Sequence, residues 1–285
     1  MTEVSTWLAQ WLAVPEIQAS VVPFIVAFVA ALILRPLGGI ASGLGFALGF
    51  CASAYFVMGF DHTGIKFTPL TGTRKLLLAG AGAVIVGLLA DLLLSRDRKP
   101  WIRAAVFVIA GMGTALWLIS PRLDRLEGNA LWITIAIATT WAGWLAASLD
   151  MLNRRPLALA ISALMLSIGV SVCALLGASA QIAQLSGAVA ASAGALALVM
   201  VLFGAAVPGG GFALPAALLT ALAGISAVLF ARLPWYALSP LVLIPLLAYL
   251  PVPSNHNRFL QGLVLALYTA PAAAGAIALA WRAST

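Results

Sequence analysis

The stretch Ser95–Arg103, with the sequence SRDRKPWIR, is the densest group of charges between two long apolar runs. These runs cover about residues 75–94 and 101–120. A helix that crosses the hydrocarbon core, about 30 Å thick, needs about twenty mostly apolar residues, because each residue rises about 1.5 Å. Both runs meet that length, so the stretch predicts a loop between two membrane-spanning helices.

The composition predicts the same environment for the whole chain. Of 285 residues, 63% are hydrophobic and 8% are charged, whereas about a quarter of the residues in a soluble domain are charged. We therefore predict an all-α polytopic integral membrane protein in contact with the lipid bilayer. The net charge is +7, but the basic residues stand mostly singly in short loops, which favours anionic headgroups over nucleic acid. We expect no nucleic-acid partner.

Ten candidate helices result when the chain is divided at its charges and at its Pro and Gly clusters. They cover about residues 17–34, 38–60, 75–94, 101–120, 130–149, 157–176, 182–206, 212–231, 236–250 and 259–281. The ninth is short and contains Pro240 and Pro245, which predicts a kinked, tilted or re-entrant segment. If it is re-entrant, the chain has nine spans. We interpret residues 1–285 as a single transmembrane domain, with possible halves at 17–150 and 157–282.

The amino-terminal segment, residues 1–15, precedes the first span and has an apolar stripe at helical spacing. The stripe consists of Val4, Trp7, Leu8, Trp11 and Leu12. This pattern predicts a short amphipathic helix in the membrane interface, or one that packs on a partner or on the bundle.

Loop charges predict the orientation of the chain. Four cations, Arg96, Arg98, Lys99 and Arg103, form its strongest basic cluster, whereas the segment before the first span has acids but no Lys or Arg. Cytoplasmic loops are enriched in Lys and Arg. We therefore interpret these four residues as a topology anchor rather than a binding site. They predict a cytoplasmic loop at 95–103 and a periplasmic amino terminus, in a bacterial inner membrane.

The sequence contains none of the common catalytic or redox signatures. HExxH, Gly-x-Ser-x-Gly, Walker and CxxC patterns are all missing. Asp61, Asp91 and Asp150 lie near predicted helix ends, so no carboxylate is expected at mid-membrane. We expect no enzymatic activity, cofactor or metal site. Cys51 and Cys173 lie within apolar runs, as buried free thiols do.

The longest polar connection, residues 61–75, offers one candidate contact surface. It contains Asp61, His62, Lys66, Arg74 and Lys75. We interpret the segment as an exposed connection, and the alternative is a contact surface for a partner or an anionic ligand.

A second candidate is the aromatic group of the fifth helix. Trp141 and Trp144 share one face of that helix. Tryptophan is enriched at membrane interfaces, so the pair is interpreted as part of an aromatic belt. The alternative is a pocket for an apolar ligand.

A third candidate is the glycine run Gly209, Gly210 and Gly211. The surrounding stretch, residues 207–215, reads VPGGGFALP. Over about ten residues it resembles the Gly-rich, Pro-containing entry of sulfite and organosulfonate exporters. The run is interpreted as a tight turn, and its alternative is a hinge or broken-helix binding element of the kind that transporters use.

These features leave two function classes. One is a permease-type transporter of a small neutral or weakly charged solute, without an intramembrane carboxylate. The chain length resembles that of drug/metabolite transporters, which have ten spans in two halves. The other is a non-catalytic membrane subunit, or an assembly or scaffold protein, whose partners are other membrane subunits or further copies of the chain.

Overall fold

The computed structural model describes residues 14–57, 70–94, 100–204, 208–252 and 257–285. All regular structure in these ranges is helical, which confirms the all-α fold. Asp61, His62, Lys66, Arg96, Arg98 and Lys99 lie outside the described residues, as do residues 1–13 of the predicted interfacial helix.

Ten helical segments follow one another along the described chain. They are α1 (Ile17–Ile33), α2 (Gly39–Val57), α3 (Gly72–Leu93), α4 (Pro100–Leu123), α5 (Asn129–Leu152), α6 (Pro156–Leu176), α7 (Ala180–Phe203), α8 (Gly210–Phe230), α9 (Trp235–Leu247) and α10 (Arg258–Ser284). Eight of them are long and apolar enough to cross a membrane, and α1 and α9 are shorter. The chain is therefore a multi-pass membrane protein.

The Pro-containing segment α9 passes from one end of the bundle to the other. It consists of two single helical turns joined by a 3-10 stretch, Ser239–Leu243. Gly177, directly after α6, is in close contact with Ala231. A Cβ added to Gly177 would lie 2.8 Å from the carbonyl oxygen of Ala231. Where α6 begins, Arg155 donates a hydrogen bond of 2.9 Å to the carbonyl oxygen of Tyr249. Because residues 231 and 249 lie at opposite ends of α6, the segment between them runs along the length of α6.

We call the end of the bundle at which α3, α5, α7 and α9 finish the Arg103 end. It is the end predicted to face the cytoplasm. The other end, at which these four helices begin, is called the opposite end.

Helix α8 forms the centre of the bundle. Within its most apolar stretch 89% of the residues are buried, against 33% in α4 and α10. It runs antiparallel to α3, where Gly80 lies against Leu219 and Gly87 against Gly210. Glycines let two helix backbones approach closely in a bilayer, where dispersion forces drive helix packing. The glycines of α3 therefore let α8 approach closely, and contacts with α2 and α4 to α7 surround it.

Candidate functional site

A buried arginine connects three helices at the Arg103 end. Arg103, in the first turn of α4, is only 2% exposed. Its Nε donates a hydrogen bond of 2.8 Å to Asp150 Oδ1 on α5. Its Nη2 lies 2.8 Å from Asp91 Oδ1 on α3, an ion pair in which the groups are not aligned as in a hydrogen bond. Arg103, predicted as a loop anchor, therefore lies inside the protein.

The two carboxylates differ in how firmly they are held. The side chain of Asp150 is 7% exposed, and its Oδ1 also accepts a hydrogen bond of 2.9 Å from Asn153 Nδ2. The side chain of Asp91 is 25% exposed. With both carboxylates ionised, one guanidinium faces two negative charges. We call Asp91, Arg103, Asp150 and Asn153 the Arg103 cluster.

The glycine run forms the amino end of α8 and lies against the Arg103 cluster. The backbone N–H of Gly211 donates a hydrogen bond of 3.2 Å to Asp91 Oδ2. A Cβ on Gly209 would overlap the same carboxylate oxygen, and a Cβ on Gly210 would lie 2.6 Å from Arg103 Nη2. The run is therefore closely packed, and side chains there would displace the cluster. The positive end of the α8 dipole faces the carboxylate of Asp91.

A layer of aromatic rings lies next to the Arg103 cluster, on the side towards the middle of the bundle. The guanidinium of Arg103 lies 5.2 Å from the ring centroid of Phe107. Phe212, the residue after the glycine run, packs edge to face on Phe46 of α2, with the centroids 5.2 Å apart. All three rings are fully buried. Charges and rings together pack around the amino end of α8.

An apolar cleft of about 330 Å³ lies between α2, α3 and α8 in the remaining part of the bundle. Phe46 and Pro215 line the part of the cleft nearer the Arg103 end. Cys51 and Tyr55, farther along α2, line the part nearer the opposite end. Cys51 is exposed, whereas Cys173 is buried in α6. The expectation of a buried thiol therefore fits Cys173 and is wrong for Cys51.

Lys75 is buried rather than part of an exposed contact surface. It lies in the first turn of α3 and is 6% exposed. Its Nζ donates hydrogen bonds of 2.6 Å to the carbonyl oxygen of Trp117 and 3.2 Å to Ser120 Oγ. Pro121 has no N–H for the carbonyl oxygen four residues earlier, that of Trp117. The ammonium group and Ser120 Oγ, which donates a hydrogen bond of 2.9 Å, both bond this oxygen in place of the N–H that the proline lacks. Arg74, next to it, is half-buried.

The two tryptophans of α5 have different surroundings. Both line a groove of about 580 Å³ between α5 and α9, which Trp235 also lines. Trp144 Nε1 donates a hydrogen bond of 3.3 Å to the carbonyl oxygen of Val242. Trp141 is buried, and its Nε1 lies 3.4 Å from the Cβ position of Gly224 on α8. The groove includes none of the three glycines at the start of α8.

Sequence reasoning found Gly209–Gly211 but missed the residues that surround it. Asp91 and Asp150 were predicted only as groups near helix ends, and Arg103 as part of a loop anchor. In the ten-helix order all three residues lie at the same end of the bundle. This shared position was the sequence signal that could have predicted a contact between them. Within the described ranges, no group of three or more His, Cys, Asp or Glu side chains is placed to hold a metal ion.

The comparisons with known proteins found no family for this chain. No protein-family model matches the sequence, and no curated protein is significantly similar to it. The features that bear on function are therefore the Arg103 cluster, the cleft and α8, which contacts both.

Proposed function

We propose that the chain is a permease-type transporter of a small neutral or weakly charged solute. One observation supports the proposal: charges and rings pack around the amino end of the central helix, while an apolar cleft lies against the same helix on the other side of Phe46. Alternating access requires a cleft that opens towards one side of the membrane and is sealed from the other. The apolar lining favours a solute with little charge.

The central helix supplies a place where the bundle could change shape. Pro215 interrupts α8 between the glycine run and the body of the helix. It has no N–H for the carbonyl oxygen of Gly211, so the first turn of α8 lacks one helical hydrogen bond. Kinks in helices occur at such positions. A bend there would move the amino end of α8 away from the Arg103 cluster while the rest of the helix stays packed.

The two native cysteines allow a direct test of the cleft. The variant Cys173→Ala keeps only Cys51, and the matched variant Cys51→Ala keeps only Cys173. A hydrophilic, membrane-impermeant maleimide is applied to sealed vesicles of either orientation. Cys51 should react from the opposite end, because the transporter cleft contains water. Cys173 should react only after denaturation.

The reagent does not partition into lipid, so a lipid-facing thiol behaves differently. If Cys51 reacts from neither side in native vesicles, the cleft is part of the lipid-facing surface. That result would contradict the transport proposal.

A second function, that of a membrane subunit or scaffold, is favoured by the groove between α5 and α9. It is wide and apolar, and the exposed side chains of Trp144 and Leu246 lie along it. A transmembrane helix of another chain fits such a groove better than a small solute does. Native mass spectrometry after gentle detergent extraction separates the two functions, because a stoichiometric complex with a different chain contradicts a transporter that acts alone.

A further inference from the structure

We propose that Asp91 is a proton-operated latch that holds the amino end of α8 in the closed position. The inference concerns the regulation of the proposed transporter and rests on that function. Ionised Asp91 closes the Arg103 end, and protonated Asp91 releases it.

The two carboxylates of the Arg103 cluster are bound unequally by their neighbours. Asp150 is buried and accepts hydrogen bonds from both Arg103 and Asn153. Asp91 has a misaligned ion pair with Arg103 and a long hydrogen bond from Gly211, and it is the more exposed of the two. A neutral Asp91 would leave the aligned hydrogen bond between Arg103 and Asp150 in place. Asp91 is therefore the carboxylate that can take up a proton while Arg103 stays paired.

Asp91 lies between helices α3 and α8. It is the direct polar contact between α3 and the glycine run of α8. An ionised carboxylate is stabilised at a helix amino terminus and beside a guanidinium. A neutral carboxylic acid loses most of both interactions, so protonation weakens the hold on α8.

The charged side chains nearest to Asp91 in the described residues come from α4 and α5. Arg103 faces it from α4, and Asp150 lies across the guanidinium from α5. From α8 the contacts are those of the glycine run, and from α2 Gly43 packs on Gly211, so neither contact contributes a titratable side chain. Arg96, Asp97, Arg98 and Lys99 follow α3 in the sequence and lie outside the described residues. Lower pH favours the protonated, released state.

The test measures access to the α3–α8 contact from the Arg103 end. Ala83 lies on α3 between Gly80 and Gly87 and is buried. In the background Cys51→Ala/Cys173→Ala, the reporter A83C is treated with an impermeant maleimide at that end, across a range of pH. Each rate is divided by the rate for the same protein denatured at the same pH, which removes the titration of the thiol itself.

The reporter alone should react slowly at neutral pH and faster as the pH falls. Adding Asp91→Asn, which imitates the protonated acid, should raise the neutral-pH rate about tenfold and remove the pH response. Adding Asp124→Asn, a change of an exposed acid at the opposite end, should have no effect.

Three results would overturn the latch. The first is a pH response that persists in Asp91→Asn. The second is no pH response in the reporter alone, a measurement that decides the matter even if Asp91→Asn fails to fold. The third is an equal opening by Asp124→Asn. Labelling of Cys51 is independent of all three, so a reactive Cys51 with an inert Asp91 contradicts the latch and leaves the transport proposal standing.

Discussion

Gly87 of α3 and Gly210 of α8 meet so closely that a methyl group added to Gly87 would overlap the carbonyl oxygen of Gly210. This contact fixes the height of α8 against α3. Asp91, four residues farther along α3, is thereby brought level with the N–H of Gly211. The geometry of the charge cluster therefore depends on a backbone contact that contains no charge.

Gly87→Ala should destabilise the protein by about 1–3 kcal/mol, because overpacking a tight contact forces the helices apart. The melting temperature in detergent measures the effect. The matched control is Gly82→Ala in the same helix, where an added Cβ meets open space. Equal melting temperatures for the two variants would show that α3 and α8 are not in contact at Gly87.

Asp150→Asn should lower stability by about 1.5–3 kcal/mol, because Arg103 loses the better aligned of its two charged partners. Asp124→Asn, in the exposed turn after α4, serves as the control and should stay within about 0.5 kcal/mol of the parent. Thermal melting of both proteins checks the prediction. A melting temperature for Asp150→Asn at or above that of the parent would mean that the buried ion pair does not stabilise the fold.

Lys75→Met should lower the melting temperature, because the carbonyl oxygen of Trp117 loses a donor that Pro121 cannot replace. In the background Pro121→Ala, the new N–H of residue 121 can bond that oxygen. The cost of Lys75→Met should then be smaller, with a coupling of about 0.5–3 kcal/mol in a double-mutant cycle. Arg125→Met, an exposed cation at the same end, controls for the change in net charge. Strict additivity of the two changes would contradict the proposed compensation.

Trp144→Phe should loosen the middle of α9, because the indole N–H donates to Val242 within the 3-10 stretch. Loss of one hydrogen bond should speed amide hydrogen exchange in residues 239–243 about fivefold. The comparison is Trp132→Phe, in the same helix, where the side chain is largely exposed. Similar exchange in the two variants would indicate that Trp144 does not anchor α9.

The ten helical segments could be predicted because lipid imposes a length on each apolar run. The predicted second span, 38–60, contains the observed Gly39–Val57, and the predicted sixth, 157–176, differs from Pro156–Leu176 by one residue. The short ninth segment was also predicted, from its prolines. Its course along the bundle depends on contacts with α6 and α10, which no local pattern contains.

The candidate site was harder to predict because its partners are far apart in the sequence. A charge near a helix end looks the same in a sequence whether it reaches headgroups or turns inward. Arg103 turns inward because Asp91 and Asp150 end their helices beside it. The burial of Lys75 had a clearer sequence signal. Pro121 leaves the carbonyl oxygen of Trp117 without its helical donor, and that oxygen needs a donor from another group.

The central position of α8 has a consequence for how the chain is assembled during synthesis. The helices with which α8 has its extensive contacts, α2 to α7, all precede it in the chain. They leave the ribosome before residues 210–230 do, so the space along their common axis must hold lipid or remain unformed until α8 follows. The early helices can reach their final packing only when α8 arrives and displaces what occupies that space. A chain cut short before Gly210 should therefore insert into the membrane without becoming compact.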